Sequence, residues 1–166
     1  MSTYIVDSNF FIQAHRSSYP FDVAESFWTK FKELANSGRI VSLDKVKEEI
    51  YSNEDELKKW CEDNLPEDFF LEFTDEALGK YQEVCSWAQA NDQYKQTAKE
   101  IFMDQKRADA FLVAFASTNI TNWTIVTQEV SAPYSKSNIK LPDACQVKGV
   151  CCVNTIKMFR ELNEKF

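Results

Sequence analysis

The fold is decided by the stretch Thr3-Tyr4-Ile5-Val6-Asp7-Ser8-Asn9. Its first half is β-prone and continuously apolar, which is typical of a strand buried on both faces of a parallel sheet. The run ends at an acid, and ligands of open α/β sheets bind at the carboxyl ends of the strands. Asp7 is therefore the first candidate for a functional residue, although an Asp after a strand is also an ordinary helix N-cap.

Helical and strand-like patterns alternate after this stretch, which predicts an α/β fold. Asp22 and Glu25 have the spacing of a capping box, which predicts the start of a helix. Val23 is expected on the inner face of this helix, and Gly38 is expected to end it. Residues 39–42 predict a second strand, so the chain opens with a β-α-β unit and a parallel sheet is expected. Further helices are predicted over residues 45–64, 75–90, 93–103 and 107–116, and further strands over residues 123–127 and 150–153. A loop is predicted between Pro133 and Pro142. Asn154 is predicted to cap a last helix that ends near Phe166.

The composition predicts a single domain over residues 1–166, since 44% of the residues are apolar and one core suffices for this length. No stretch has the length of a membrane span and no signal sequence is recognisable, so a cytoplasmic protein with no membrane partner is expected. Five cysteines without a C-x-x-C pair indicate neither a disulfide framework nor a zinc site. The net charge of −7 argues against broad attraction to nucleic acid, so any such contact needs a local basic patch.

The single histidine, His15, has no nucleophile motif nearby, so acid–base chemistry is left to carboxylates or to metal-bound water. Asp7 and Glu129 follow predicted strands, and Glu49 and Asp109 lie on predicted helices near the same edge of the sheet. Glu49 shares a helix face with apolar residues, whereas Asp109 is also explained by the helix dipole. Four converging carboxylates repel one another unless a cation is bound, and Mg²⁺ or Mn²⁺ prefers oxygen ligands. Such ions support phosphodiester hydrolysis without a histidine.

These motifs occur in the order seen in PIN domains: Ile5-Val6-Asp7-Ser8-Asn9, an inward Glu49, Ala108-Asp109-Ala110-Phe111-Leu112, and Ile125-Val126-Thr127-Gln128-Glu129. The chain resembles PIN-like proteins of the toxin type over essentially its full length. The resemblance implies a three-layer α/β/α sandwich with a mostly parallel central sheet. It also implies a Mg²⁺- or Mn²⁺-dependent endoribonuclease, a hydrolase that is often the toxin of a toxin–antitoxin pair and often a homodimer.

The resemblance assigns the catalytic and metal-binding roles to Asp7, Glu49, Asp109 and Glu129. Ser8, Asn9 and Thr127 match the small polar residues that support this site. The family usually has Asp at the fourth position, so Glu129 is a departure and Asp143 is a competing candidate.

RNA contact is expected from Lys106 and Arg107, which precede Asp109, and from Lys136, Lys140 and Lys148 farther along, although each is also explained as a solubilising residue. Two other functions are compatible with the sequence. One is a catalytically inactive PIN-like module that binds a protein partner such as an antitoxin, and the other is cleavage of DNA. A phosphatase of the haloacid-dehalogenase type would need a second Asp where this chain has Asn9.

Overall fold

A parallel sheet forms the centre of the computed structural model, which describes residues 2–166. Within these residues it has five strands: β1 (Thr3–Val6), β2 (Ile40–Leu43), β3 (Phe70–Leu71), β4 (Trp123–Val126) and β5 (Cys151–Val153). Their order across the sheet is β3-β2-β1-β4-β5, and each neighbouring pair is parallel. The predicted parallel sheet is confirmed, and the first strand lies at its middle.

Helices cover the sheet and complete a three-layer α/β/α sandwich, as predicted. They are α1 (Ser8–Gln13), which continues as a π-helical turn (Ala14–Ser18), α2 (Glu25–Asn36), α3 (Asp44–Tyr51), α4 (Glu56–Asn64), α5 (Asp75–Ala90), α6 (Gln96–Phe102), α7 (Asp109–Ser117), α8 (Leu141–Val147) and α9 (Thr155–Leu162). Within residues 2–166, no helix combines the length and the apolar character that a membrane crossing requires.

Strand β1 is central because its side chains tolerate burial on both faces. Ile5 and Val6 are completely buried, and β1 pairs with β2 on one side and with β4 on the other. A cluster of buried aromatic rings packs beside it, and the Phe10 ring lies 5.4 Å from the Phe31 ring. Burial of such rings contributes much of the driving force for folding. Since β1 is held from both sides, its carboxyl end is a rigid position for the acid that follows.

Helix α7 corresponds to the predicted helix over residues 107–116, and its residues from Ala110 to Ala116 are all buried. It packs against α5 and β4. Asp109 is the first residue of α7 and lies in the turn where an acid interacts favourably with the helix dipole.

Four details of the predicted elements are wrong for local reasons. The capping box does not form, because Val23 and Ala24 donate their backbone N–H groups to the Pro20 carbonyl in a turn, and Val23 is 79% exposed. The predicted helix over residues 45–64 is two helices, since the Asp55 side chain accepts from the Lys58 N–H and starts α4. Helix α8 was not predicted; it takes only the last two residues of the predicted loop, Leu141 and Pro142, and its proline lies in the first turn, where no amide hydrogen is needed. The last helix ends at Leu162.

Helix α9 runs back from the carboxyl edge of the sheet to its amino edge. Asn154 caps it by accepting from the Lys157 N–H at 2.8 Å, as predicted. Near its other end, Glu161 accepts from the Tyr4 hydroxyl at 2.7 Å, and the Leu162 carbonyl accepts from Arg39 at 2.8 Å. Both Tyr4 and Arg39 lie at the amino ends of their strands, so α9 ends at the edge opposite the carboxyl ends.

Candidate functional site

A cleft of about 510 Å³ opens at the carboxyl edge of the sheet. It collects side chains that are far apart in sequence and that come from the start of α1, from α3, from the start of α7 and from the loop after β4. Its lining residues include Ser8, Asn9, Glu49, Lys106, Arg107, Asp109 and Glu129. Most of the residues predicted for the site therefore share one cavity, while Asp7 and Thr127 are buried.

Asp7 caps α1, as one reading of the sequence suggested, and lies buried near Asp109 and Glu129. One carboxylate oxygen accepts from the Phe10 N–H at 2.6 Å, and the other accepts from the Thr127 hydroxyl at 2.5 Å. Burial raises the pKa of Asp7 well above its usual value, although these two hydrogen bonds oppose the change. The nearby charges of Asp109 and Glu129 also raise this pKa, so the three carboxylates interact electrostatically.

Glu49 faces inward, as the helical periodicity predicted, and ties three elements together. One of its oxygens accepts from the Ser8 hydroxyl at the start of α1, and the other accepts from the Ala108 N–H just before α7. Its neighbour Glu48 is exposed and pairs with Lys45 at 3.8 Å. Glu49 thus fixes the start of α7, and with it Asp109, relative to β1.

Asp109 is a buried acid held next to other acids. Burial and, to a smaller extent, the charge of Glu129 together raise its pKa from 3.8 to about 7. Arg107 lowers this pKa and has a guanidinium nitrogen 3.9 Å from an Asp109 oxygen, while Lys140 lowers it more weakly. The cations near Asp109 therefore offset only part of the cost of its negative charge.

Glu129, rather than Asp143, lies in the cleft. Glu129 accepts from the Leu141 N–H at 2.8 Å, and its own N–H donates to the Thr127 hydroxyl oxygen at 3.1 Å. Asp143 instead accepts from the Ser131 hydroxyl and from the Ala132 N–H at 2.8 Å, which stabilises the loop before α8.

The fit of the cleft to a divalent cation depends on both chemistry and spacing. The acidic donors are all oxygens, and the buried Asn9 Oδ1 has no hydrogen-bond partner. The charge of Glu129 raises the pKa values of both Asp7 and Asp109. These features suit Mg²⁺ or Mn²⁺. In the described part of the chain, however, no group of three or more His, Cys, Asp or Glu residues is close enough to hold a metal ion. The chemistry of the donors fits, whereas an ion would require the side chains to move closer together, so the metal assignment stays a prediction.

Some contributors to the site were not predicted from sequence. Glu48 and Ser52 of the α3 region also line the cleft. A smaller cavity of about 50 Å³ shares Arg107, Asp109 and Glu129 with the cleft, and Ser137, Asn138 and Lys140 also line it. No sequence pattern indicated Ser137 and Asn138, because their position depends on the unpredicted helix α8.

Comparison with known proteins gives one match. A family model described as a domain of unknown function (DUF4411) matches residues 4–166, a range that includes every residue of the cleft. No curated protein and no solved structure matches the chain.

Proposed function

The chain belongs to the DUF4411 family, a domain of unknown function, and from the chemistry of its cleft we propose that it is a Mg²⁺- or Mn²⁺-dependent endoribonuclease of the PIN-like type. One observation carries this proposal. Glu49, Asp109 and Glu129, from three distant segments, line a single cleft, and their charges act on one another and on the buried Asp7. Such an arrangement is costly without a cation, and it lies where ligands of α/β sheets bind.

The side chains of the cleft divide into two groups. Asp109, Glu129, Glu49 and Asp7 would hold the ion. When it is bound, the ion polarises phosphoryl oxygens and acidifies water. Thr127 holds Asp7 by donating to it at 2.5 Å, which favours the ionised form that a cation requires.

Two cationic side chains in the cleft fit the phosphodiester backbone. Lys106 and Arg107 line it beside Asp109, and the Arg107 side chain is about half exposed. A guanidinium group recognises phosphate oxygens through paired hydrogen bonds. Because the whole chain carries a net charge of −7, these residues provide local attraction where the rest of the protein repels RNA.

The toxin role is part of the same proposal and rests on the resemblance to PIN-like toxins. It predicts a small adjacent reading frame encoding an antitoxin, whose co-expression restores growth that this chain alone inhibits. A homodimer is proposed on the same basis, and sedimentation of the purified protein tests it.

The decisive experiment for the nuclease is incubation of the purified protein with total RNA in Mn²⁺, in Mg²⁺ and with a chelator. We expect cleavage that the chelator stops and that Asp7→Asn and Asp109→Asn abolish, because each variant removes a charged oxygen while relieving repulsion in the folded protein. Glu48→Gln is the matched control, since Glu48 is the exposed neighbour of Glu49 on the same helix, and it should cleave like the wild type. Cleavage that persists in purified Asp109→Asn, or in the chelator, would refute the assignment.

One observation favours a second candidate, a PIN-like module that binds a protein partner without cleaving RNA. Both oxygens of Asp7 and both oxygens of Glu49 already accept hydrogen bonds from the protein. Calorimetry distinguishes the two functions, since an inactive module would bind no Mn²⁺ and would cleave no RNA.

A further inference from the structure

An exposed aromatic side chain projects from the loop between β4 and α8, residues 127–140, which we call the β4–α8 loop. Tyr134 is 91% exposed, yet its backbone is firmly held. The Gln93 carboxamide donates to the carbonyls of Pro133 and Ser135 at 2.7 and 2.8 Å, one on each side of Tyr134. The Lys95 N–H also donates to the Lys136 carbonyl at 2.8 Å. The ring is thus presented to solvent by a turn that is already ordered.

Both ends of this loop meet at the acidic cleft. Glu129, near its beginning, accepts from the Leu141 N–H directly after its end, so the loop is closed at its base by a residue of the site. Ser137, Asn138 and Lys140 line the smaller cavity next to Asp109. Tyr134 is only five positions after Glu129 in the sequence, which limits the distance between their Cα atoms to about 18 Å. The ring therefore lies within a few nucleotides of any strand bound in the cleft.

The charge of the loop differs from that of the whole chain. Residues 130–140 contain Lys136 and Lys140 and no acid, whereas the protein has a net charge of −7. In the part of the chain that the structure describes, neither lysine forms a salt bridge, and Lys140 is close enough to Asp109 for its charge to lower that pKa. The loop thus combines an exposed ring with two lysines that form no salt bridge in the described part of the chain.

We propose that the β4–α8 loop binds single-stranded RNA beside the cleft, with the Tyr134 ring stacked on an unpaired base and Lys136 and Lys140 facing phosphates. A strand with free base faces is the ligand that suits a rigid, exposed ring, because the bases of a duplex are already stacked. Because the backbone on each side of Tyr134 is already held, less conformational entropy is lost on binding. This inference rests on the proposed function in that it takes RNA to be the ligand of the cleft.

The test measures binding without cleavage, so it does not depend on the nuclease activity. Fluorescence anisotropy of a labelled single-stranded RNA is recorded in chelator for the wild type, Tyr134→Ala and Tyr134→Phe, and a blunt-ended RNA duplex of the same length serves as the second ligand. We expect Tyr134→Ala to weaken single-strand binding roughly 5- to 150-fold. Tyr134→Phe keeps the ring and should stay within about twofold of the wild type. Since Tyr134 is exposed, neither variant should alter folding.

The outcomes separate this inference from the proposed function. If the protein cleaves RNA but Tyr134→Ala binds the single strand as tightly as the wild type, the loop inference is overturned and the nuclease stands. If no cleavage occurs but Tyr134→Ala still loses single-strand binding, the loop inference stands and the nuclease falls. Equal losses on the duplex and the single strand, no RNA binding by the wild type, or a loss of self-association instead of RNA binding, would each overturn the loop inference.

Discussion

Replacing Asp109 by Asn should stabilise the metal-free protein, and the gain in the free energy of unfolding should increase as the pH rises. Burial and the charge of Glu129 raise the pKa of Asp109 from 3.8 to about 7. The folded protein therefore holds this proton more tightly than the unfolded chain does. The wild type loses stability as the pH rises from about 4 to about 7, and the loss is complete above that range. Asn cannot ionise and has no such loss.

The size of the effect follows from the two pKa values. Between pH 5 and pH 8 the ionisation of Asp109 should cost the wild type about 2–3 kcal/mol relative to the variant, at 1.36 kcal/mol per pKa unit. For a chain of this size, the difference in Tm between Asp109→Asn and the wild type should therefore be roughly 5–10 °C larger at pH 8 than at pH 5. The Asp109 side chain is only 16% exposed, so solvent screening reduces this value little.

The assay is thermal unfolding followed by circular dichroism in chelator, at pH 5 and pH 8, for the wild type and Asp109→Asn. Glu48→Gln is the matched control, because Glu48 lines the same cleft but is exposed, and its effect should stay within about 0.5 kcal/mol at both pH values. A stability difference for Asp109→Asn that does not change between the two pH values would refute the claim that buried, mutually repelling carboxylates form this site.

Three further predictions concern the same fold. Saturating Mn²⁺ at pH 7 should raise the Tm of the wild type and have much less effect on Asp109→Asn, because only binding to the folded state stabilises it; an equal rise in both proteins would place the ion elsewhere. Glu49→Ala should cost about 1–3 kcal/mol in urea unfolding at pH 5, since a hydroxyl and a backbone N–H lose their acceptor; Glu48→Ala is the control, and a loss no larger than the control's would show that these hydrogen bonds contribute nothing. Phe31→Ala should lower the free energy of unfolding by about 3–5 kcal/mol, because the Phe31 ring is fully buried. Val23→Ala, at an exposed position, is the control and should change the free energy of unfolding by less than about 0.5 kcal/mol. Similar values for the two variants would contradict the described core.

Much of the framework was predictable because it depends on local patterns. The buried run at Ile5 and Val6, the continuous apolar surface of α7 and the cap at Asn154 each follow from the character of neighbouring side chains. The inward orientation of Glu49 was predictable because helical periodicity places it beside Val46 and Ile50, both of which are buried.

The features that could not be predicted depend on contacts between residues that are not neighbours in the sequence. The capping box failed because Pro20 organises the turn before α2. Helix α8 and the path of the loop before it depend on the hydrogen bond between Glu129 and Leu141, which no local pattern indicates. For the same reason the sequence placed the acids at one edge of the sheet but did not give their spacing, and that spacing decides whether they hold an ion.

The return of α9 to the amino edge has a practical consequence for experiments. Thr3 begins β1 at that edge, and Leu162 lies there beside Arg39. A fluorophore or a surface tether attached at the exposed Asn163, directly after α9, would lie at the edge facing away from the cleft. Immobilised or labelled protein should therefore capture its ligand as readily as the protein free in solution.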